Sequence, residues 1–131
     1  MRSHQLGELQ LAIMRVIWER GEATASDVHA ALAAERGLAP TTIATMLRKM
    51  EDKGVVEHRE DGRTFVYRAT VQSDQIHRSM VGDLVTRLFD GDPLALVNHL
   101  VAEGEIDLEE LDDLREQVAA ARKKQRRGGT R

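Results

Sequence analysis

Apolar residues recur along this chain at two periods, and the switch between them divides it. Leu6, Leu9, Ile13, Val16 and Ile17 fall at helical spacing, with Ala12, Met14 and Trp18 beside them and Gly21 after them, which predicts a first helix stopping at Gly21. Trp18 reads as a core anchor, because a large aromatic in a small domain usually packs. Next, Thr24 and Asp27 form a capping-box-like pair, Val28, Ala31 and Leu32 are expected to face inward, and Gly37 closes a second helix. Only Leu38 and Ala39 separate it from Pro40, a residue suited to a first helical turn because the N–H it lacks would be unpaired there. In that third helix Ile43, Met46, Leu47 and Met50 make one apolar stripe. Thr41, Thr42, Thr45, Arg48 and Lys49 occupy the other face, and Gly54 follows as the C′ residue.

Beyond Gly54 the period falls to two. Val55–Arg59 and Arg63–Arg68 flank Glu60-Asp61-Gly62, and Asp-Gly between two β-prone runs signals a hairpin. Phe65, Tyr67 and Ala69 are expected on its inward face, Thr64, Val66 and Arg68 on the outward one, with Arg59 and Arg63 beside the turn. Two short helices joined by a tight turn make a helix-turn-helix, and the hairpin behind them makes it winged. A helix with hydroxyls and cations on its outer face is what a major groove accepts. Arg63 sits where a wing meets DNA backbone or minor groove, and a narrow minor groove attracts Arg.

From Ser73 the helical period returns. Ile76, Met80, Leu84 and Leu88 fall at i+4 steps, with Val81, Val85 and Phe89 widening the stripe. Asp92-Pro93 reads as N-cap and N1 of a short helix with Leu94, Val97, Leu100 and Val101 inside, ending at Gly104. Asp107 and Glu110 form a capping box, Ile106 and Leu111 a hydrophobic staple, and Leu108, Leu111, Leu114 and Val118 continue inward. A helical segment of roughly fifty residues cannot bury enough apolar surface to offset its own ordering entropy. The economical partner for its stripes is the same segment of a second chain. The expected architecture is mainly α with a small β-hairpin wing: a winged helix-turn-helix over residues 1–71, an α-helical dimerisation region over 72–121 and a basic flexible tail over 122–131. Ile76, Met80, Leu84, Leu88, Phe89, Leu100, Leu111 and Leu114 are the expected dimer contacts.

Composition narrows the function. The 131 residues contain no cysteine, so a disulfide framework, a thiolate nucleophile and Cys-based metal sites are excluded. No run approaches the roughly 18 apolar residues of a membrane span, and no signal-peptide core opens the chain. A cytoplasmic protein without membrane insertion is expected. The formal net charge of −3 excludes a bulk polycation but not a local basic patch. Aromatics make up only 3%, against single-strand readers that stack bases. The five histidines lie in different elements with no pair at i, i+3 or i+4, no phosphate-cradling glycine motif or nucleophile elbow is present, and no catalytic residue, metal or cofactor is expected.

In order and spacing, the chain resembles the penicillinase repressor family, the BlaI/MecI-type winged-helix transcriptional repressors. The matching residues include Leu6-Gly7-Glu8-Leu9, Ile13-Met14, Ile17-Trp18, Thr24, Asp27-Val28, Ala39-Pro40-Thr41-Thr42-Ile43, Thr45, Lys53-Gly54, Gly62-Arg63, Tyr67, Leu88-Phe89-Asp90-Gly91 and Leu111. The resemblance implies a homodimer repressing promoters through dyad operators with TACA/TGTA-like half-sites, often of β-lactam resistance or cell-envelope stress genes. By position it implies that Thr41, Thr42, Thr45 and Arg48 read bases or adjacent phosphates, and that Lys49 and Arg63 contact backbone. It also implies a membrane sensor protease as inducing partner; the residue expected before the cut in the best-known members is Asn, whereas here Leu88 precedes Phe89 and the resemblance does not place the cleaved bond. The cysteine hook of copper-responsive relatives is absent. Two other readings stay open: a winged-helix repressor released by a small ligand, and a winged helix that docks a partner protein.

Overall fold

A computed structural model describes residues 6–129. Their order is α1 (Glu8–Arg20), β1 (Ala23–Thr24), α2 (Ala25–Arg36), α3 (Pro40–Asp52), β2 (Val56–Asp61), β3 (Thr64–Ala69), α4 (Ser73–Phe89), α5 (Pro93–Ala102) and α6 (Leu108–Gly129). The chain forms two compact units, one ending at Asp83 and the other beginning at Leu84, so the division falls inside α4.

The first unit is a winged helix-turn-helix. Its core joins Ile13, Met14 and Ile17 of α1, Val28 of α2, Ile43, Leu47 and Met50 of α3, and Val55, Val56 and Tyr67 of the wing. The expected α2 cap is present in full. The Asp27 amide donates to Thr24 Oγ1 and the Thr24 amide to Asp27 Oδ2, each at 3.0 Å. These bonds satisfy two donors that a helix start leaves orphaned, and the bond from the Thr24 amide holds the Asp27 carboxyl below its ordinary value of 3.8. Gly37 ends α2 in the left-handed conformation (φ 58°), which a residue with a Cβ adopts only under strain. Ala31, expected inside, is exposed, because the buried stripe of α2 narrows to Val28 and Leu32. Trp18 is half-buried and donates its indole N–H to the Val71 carbonyl at 2.9 Å, the polar partner that a packed indole needs.

The sheet differs from the expected hairpin in three ways. It has a third strand, since β1 pairs antiparallel with β3 in the order β1-β3-β2. The turn lies one residue later: Asp61 pairs with Thr64, leaving Gly62-Arg63 as the central pair. Gly62 takes φ 65°, as the first position of the hairpin turns that match strand twist requires. The inward face is as expected at Tyr67, which is in the core, and at Ala69, which packs against it, but not at Phe65 and Val66. Val66 is buried, whereas Phe65 is 44% exposed. Thr24, Val66 and Arg59 share one row of the sheet, and Arg59 and Arg68, tethered to Glu22 and Glu57, line the same shallow depression as Val66. Long basic side chains cover apolar surface with their stems in this way.

The start of α4 belongs to the first core. Ile76 is 0% exposed there and Met80 packs against the same cluster. Ile76 therefore has no surface left for the dimer contact expected of it, because helical periodicity fixes a face but not what covers that face.

In the second unit Val85 is the one buried hydrophobic among the described residues. Leu84, Leu88, Leu94, Val97, Val101, Leu108, Leu114 and Val118 are exposed, so α5 does not bury its stripe within this chain. The caps of this unit are as expected: Asp92 Oδ1 accepts from the Leu94 amide at 3.0 Å, and the Asp107–Glu110 box has both of its bonds. The expected flexible tail is helical through Gly129. Arg, Lys and Gln propagate helix well, and cations favour a helix C-terminus.

Ile76→Ala is expected to cost about 2–5 kcal/mol, read as a lowered urea midpoint by the fluorescence of Trp18. A change in self-association without loss of stability would refute its core placement. A carboxyl whose native pKa is depressed stabilises the fold above its unfolded value, and that contribution fades as pH falls through the native value. Wild type should therefore lose stability below about pH 3.8 more steeply than Asp27→Asn, measured by thermal melts across that range.

Candidate nucleic-acid interface

Burial of Ile43, Leu47 and Met50 fixes the rotation of α3 and turns its other face outward. Thr41, Thr45, Arg48 and Lys49 are exposed and Thr42 is half-buried. Thr41, Thr42, Thr45 and Lys49, with the partly buried Met46, line a shallow depression of about 280 Å³. The helix begins with Pro40 at N1 and is held at that end through His29, whose Nε2 lies 2.7 Å from the Leu38 carbonyl. Since a carbonyl only accepts, Nε2 is the protonated nitrogen. At its far end α3 closes with paired bonds, Gly54 amide to Glu51 carbonyl and Val55 amide to Met50 carbonyl, the two-bond motif that lets a chain leave a helix with its carbonyls satisfied. Buried Gln10 links α1 to this helix: its amide contacts Met46 Sδ at 3.7 Å and its carbonyl accepts from Lys53 Nζ at 3.0 Å.

A larger cleft of about 510 Å³ lies between the start of α2, α3 and the wing. Arg48 and Arg63 both line it, with Ser26, Glu51, His58, Phe65 and Tyr67. Burial, reinforced by the Glu51 carboxylate, raises the Tyr67 phenol above its ordinary value of 10.0, with Arg48 opposing, so it remains a neutral hydroxyl.

The charges around the wing divide into paired and unpaired. Arg59 meets Glu22 through two hydrogen bonds, of 3.0 and 3.2 Å, which lowers the Glu22 pKa and raises that of Arg59. Arg68 pairs with Glu57, and His58 with Glu51. Arg59, placed beside the turn by sequence, is thus committed to the protein itself. Among the described residues Arg48, Lys49 and Arg63 make no ion pair. No group of three or more His, Asp or Glu residues among the described positions could hold a metal, and no helix there is long and apolar enough to cross a membrane.

Sequence reasoning overlooked Glu51, His58 and Phe65. Period-two alternation with the Gly62-Arg63 turn would have put His58 and Phe65 on one face; the contact with Glu51 has no local signal.

Of the expected dimer residues, Leu84, Leu88 and Leu114 are exposed and Phe89, Leu100 and Leu111 half-buried. Ile76 and Met80 pack in the first core.

A three-helix core, a small antiparallel sheet and a recognition helix with an outward hydroxyl-and-cation face define a winged helix-turn-helix of the DNA-binding class. The chain belongs to the penicillinase repressor family, whose profile matches residues 6–120, a family of transcriptional repressors and not of enzymes. It is 32% identical over 117 residues to the transcriptional regulator BlaI of Mycobacterium tuberculosis, covering 88% of this chain and 83% of that one. It is 26% identical over 110 residues to the penicillinase repressor of Bacillus licheniformis, covering 84% and 86%. The solution structure of the DNA-binding domain of the repressor BlaI superposes with a TM-score of 0.50 at 30% identity, over 55% of this chain and 88% of that one.

Proposed function

We propose that this repressor acts as a homodimer on pseudo-palindromic operators with TACA/TGTA-like half-sites. Thr41, Thr42, Thr45 and Arg48 meet base edges or adjacent phosphates, and Lys49 and Arg63 meet the backbone. The observation that carries this reading is the rotation of α3: Ile43, Leu47 and Met50 are buried while Thr41, Thr45, Arg48 and Lys49 face solvent. Hydroxyls and cations on an accessible helix are the donors that phosphates and major-groove acceptors take.

Dimerisation is supported by the second unit, whose large apolar side chains are mostly exposed, Leu88 at 70% and Leu108 at 75%. Large apolar side chains left to solvent in such number point to an association site. A two-fold dimer would set its two recognition helices on half-sites about one helical turn apart, or a multiple of it. The name penicillinase repressor of one relative supports control of β-lactam resistance genes; control of cell-envelope stress genes, a membrane sensor protease as inducing partner and action in the cytoplasm belong to the same proposal and rest on the family resemblance.

The test is binding of the full chain to a duplex carrying a TACA/TGTA dyad. Affinity should fall on the order of a thousandfold or more between 50 and 200 mM salt if about six to ten phosphates are contacted. Arg48→Ala should lose about 1–3 kcal/mol and relax sequence preference, whereas Lys49→Ala should weaken all duplexes alike. Arg59→Ala, removing a cation already held by Glu22, should change affinity less than Arg63→Ala. Sedimentation should show a dimer at micromolar concentration; a monomer there would overturn the dimeric part of the reading.

A further inference from the structure

An acid on a surface that meets phosphates needs a reason. Glu51 stands one turn after Arg48 on α3 and lines the same cleft as Arg48 and Arg63. Its two carboxylate oxygens lie 2.7 and 2.8 Å from His58 Nδ1 on β2. A carboxylate only accepts, so Nδ1 carries the proton. The His58 ring lies against Phe65 of β3, with centroids 4.1 Å apart and planes 17° apart. The relation is diagonal across the hairpin, because His58 pairs with Tyr67 and Phe65 with Glu60. A continuous line of contacts thus runs from the last turn of the recognition helix through β2 to β3, two residues short of Arg63.

The place of this line in the wing gives it its use. The root of the hairpin is already pinned: Val55, Val56 and Tyr67 are buried, and the Thr70 amide donates to the Val55 carbonyl at 3.0 Å. The third strand reaches only the Tyr67 and Val66 rows. From the Phe65 row outward the wing is a two-stranded ribbon, which is marginally stable and variable in twist. The side chains of His58 and Glu51 are 28% and 31% exposed, outside the buried cluster that holds the unit together.

We propose that Glu51, His58 and Phe65 form a positioning brace that fixes the outer wing against α3 and so sets the span between Arg48 and Arg63 on DNA. The inference rests on the DNA reading above. It gives Glu51→Ala a sign opposite to that of simple electrostatics. Removing an unattached anion from a phosphate-facing surface would tighten binding, whereas removing the anchor of the brace weakens it, since the Arg63 contact must then be ordered at the moment of binding.

The experiment measures the affinity of the full chain for the TACA/TGTA dyad duplex and for a mixed-sequence duplex, with thermal melts of every variant. Glu51→Ala and His58→Ala should each bind the dyad about fivefold to twentyfold more weakly while melting close to wild type, and Arg63→Ala should lose much less in the Glu51→Ala background than in wild type, as coupled sites do. A merely structural role for the pair would leave the Arg63 effect undiminished. Tighter or unchanged binding by both Glu51→Ala and His58→Ala overturns the brace, as does an Arg63→Ala penalty of equal size in both backgrounds. Both of those outcomes leave the DNA reading standing. Wild-type protein that binds neither duplex overturns the DNA reading and the brace with it.

Discussion

Ile43, Leu47 and Met50 leave α3 no freedom to turn about its own axis. Each is fully buried, and in a close-packed interior rotating the helix by even one residue's step would exchange an apolar side chain for a threonine or a cation. Everything exposed on this helix follows from that burial. Thr41 and Thr45 lie one helical step of four apart, and Arg48 continues the face one turn on. The chemistry of the face is therefore set by the core beneath it, and its position along the axis by two ends that are each hydrogen-bonded: His29 to the Leu38 carbonyl before it, and the Gly54 and Val55 amides after it.

The same unit resolves an apparent conflict between a net charge of −3 and an anionic ligand. Around the wing, two acids are matched to cations within the protein, Glu22 with Arg59 and Glu57 with Arg68, and Glu51 is hydrogen-bonded to His58. Asp27 is used to cap α2. Matched pairs at these short distances nearly cancel beyond a Debye length of about 10 Å at 0.1 M salt. Among the described residues of α3 and the wing turn, the cations with no ion-pair partner are Arg48, Lys49 and Arg63, and the acids with none are Asp52, Glu60 and Asp61. The placement of Thr, Arg and Lys on the outer side of α3, and not the total charge, sets what that face offers a phosphate.

Sequence made the helical part of the winged unit legible because caps and stops are local. Thr24 with Asp27, Pro40, Gly37 and Gly54 each act within one turn of themselves, and the stripe of α3 is a repeat of three and four. What it concealed depended on distant residues. A two-residue strand such as Ala23–Thr24 has no periodicity to detect, yet it covers the edge of β3 and helps to bury Val66. The Glu22–Arg59 and Glu51–His58 pairs join separate elements, and nothing in either neighbourhood announces the other. In α4 the i+4 run from Ile76 to Leu88 reads as one stripe, although its first part packs into the winged-helix core. The basic end of α6 reads as a tail by charge, but charge alone does not break a helix, and Arg, Lys and Gln propagate it well up to the two glycines that end it.

The second unit poses the complementary problem. Its helices are capped, by Asp92 and by the Asp107–Glu110 box. Yet caps contribute only about 1 kcal/mol each, far less than the entropy of ordering helices of this length. Hydrophobic burial must make up the difference, and within one chain it does not, with Val85 the one buried hydrophobic among the described residues of the unit. A surface of this kind is suited to association. In the proposed dimer an isologous interface covers it by symmetry, because one patch that suits itself needs no second protein and fixes two identical reading heads in a two-fold relation. The same step that stabilises the second unit would then give the operator its dyad.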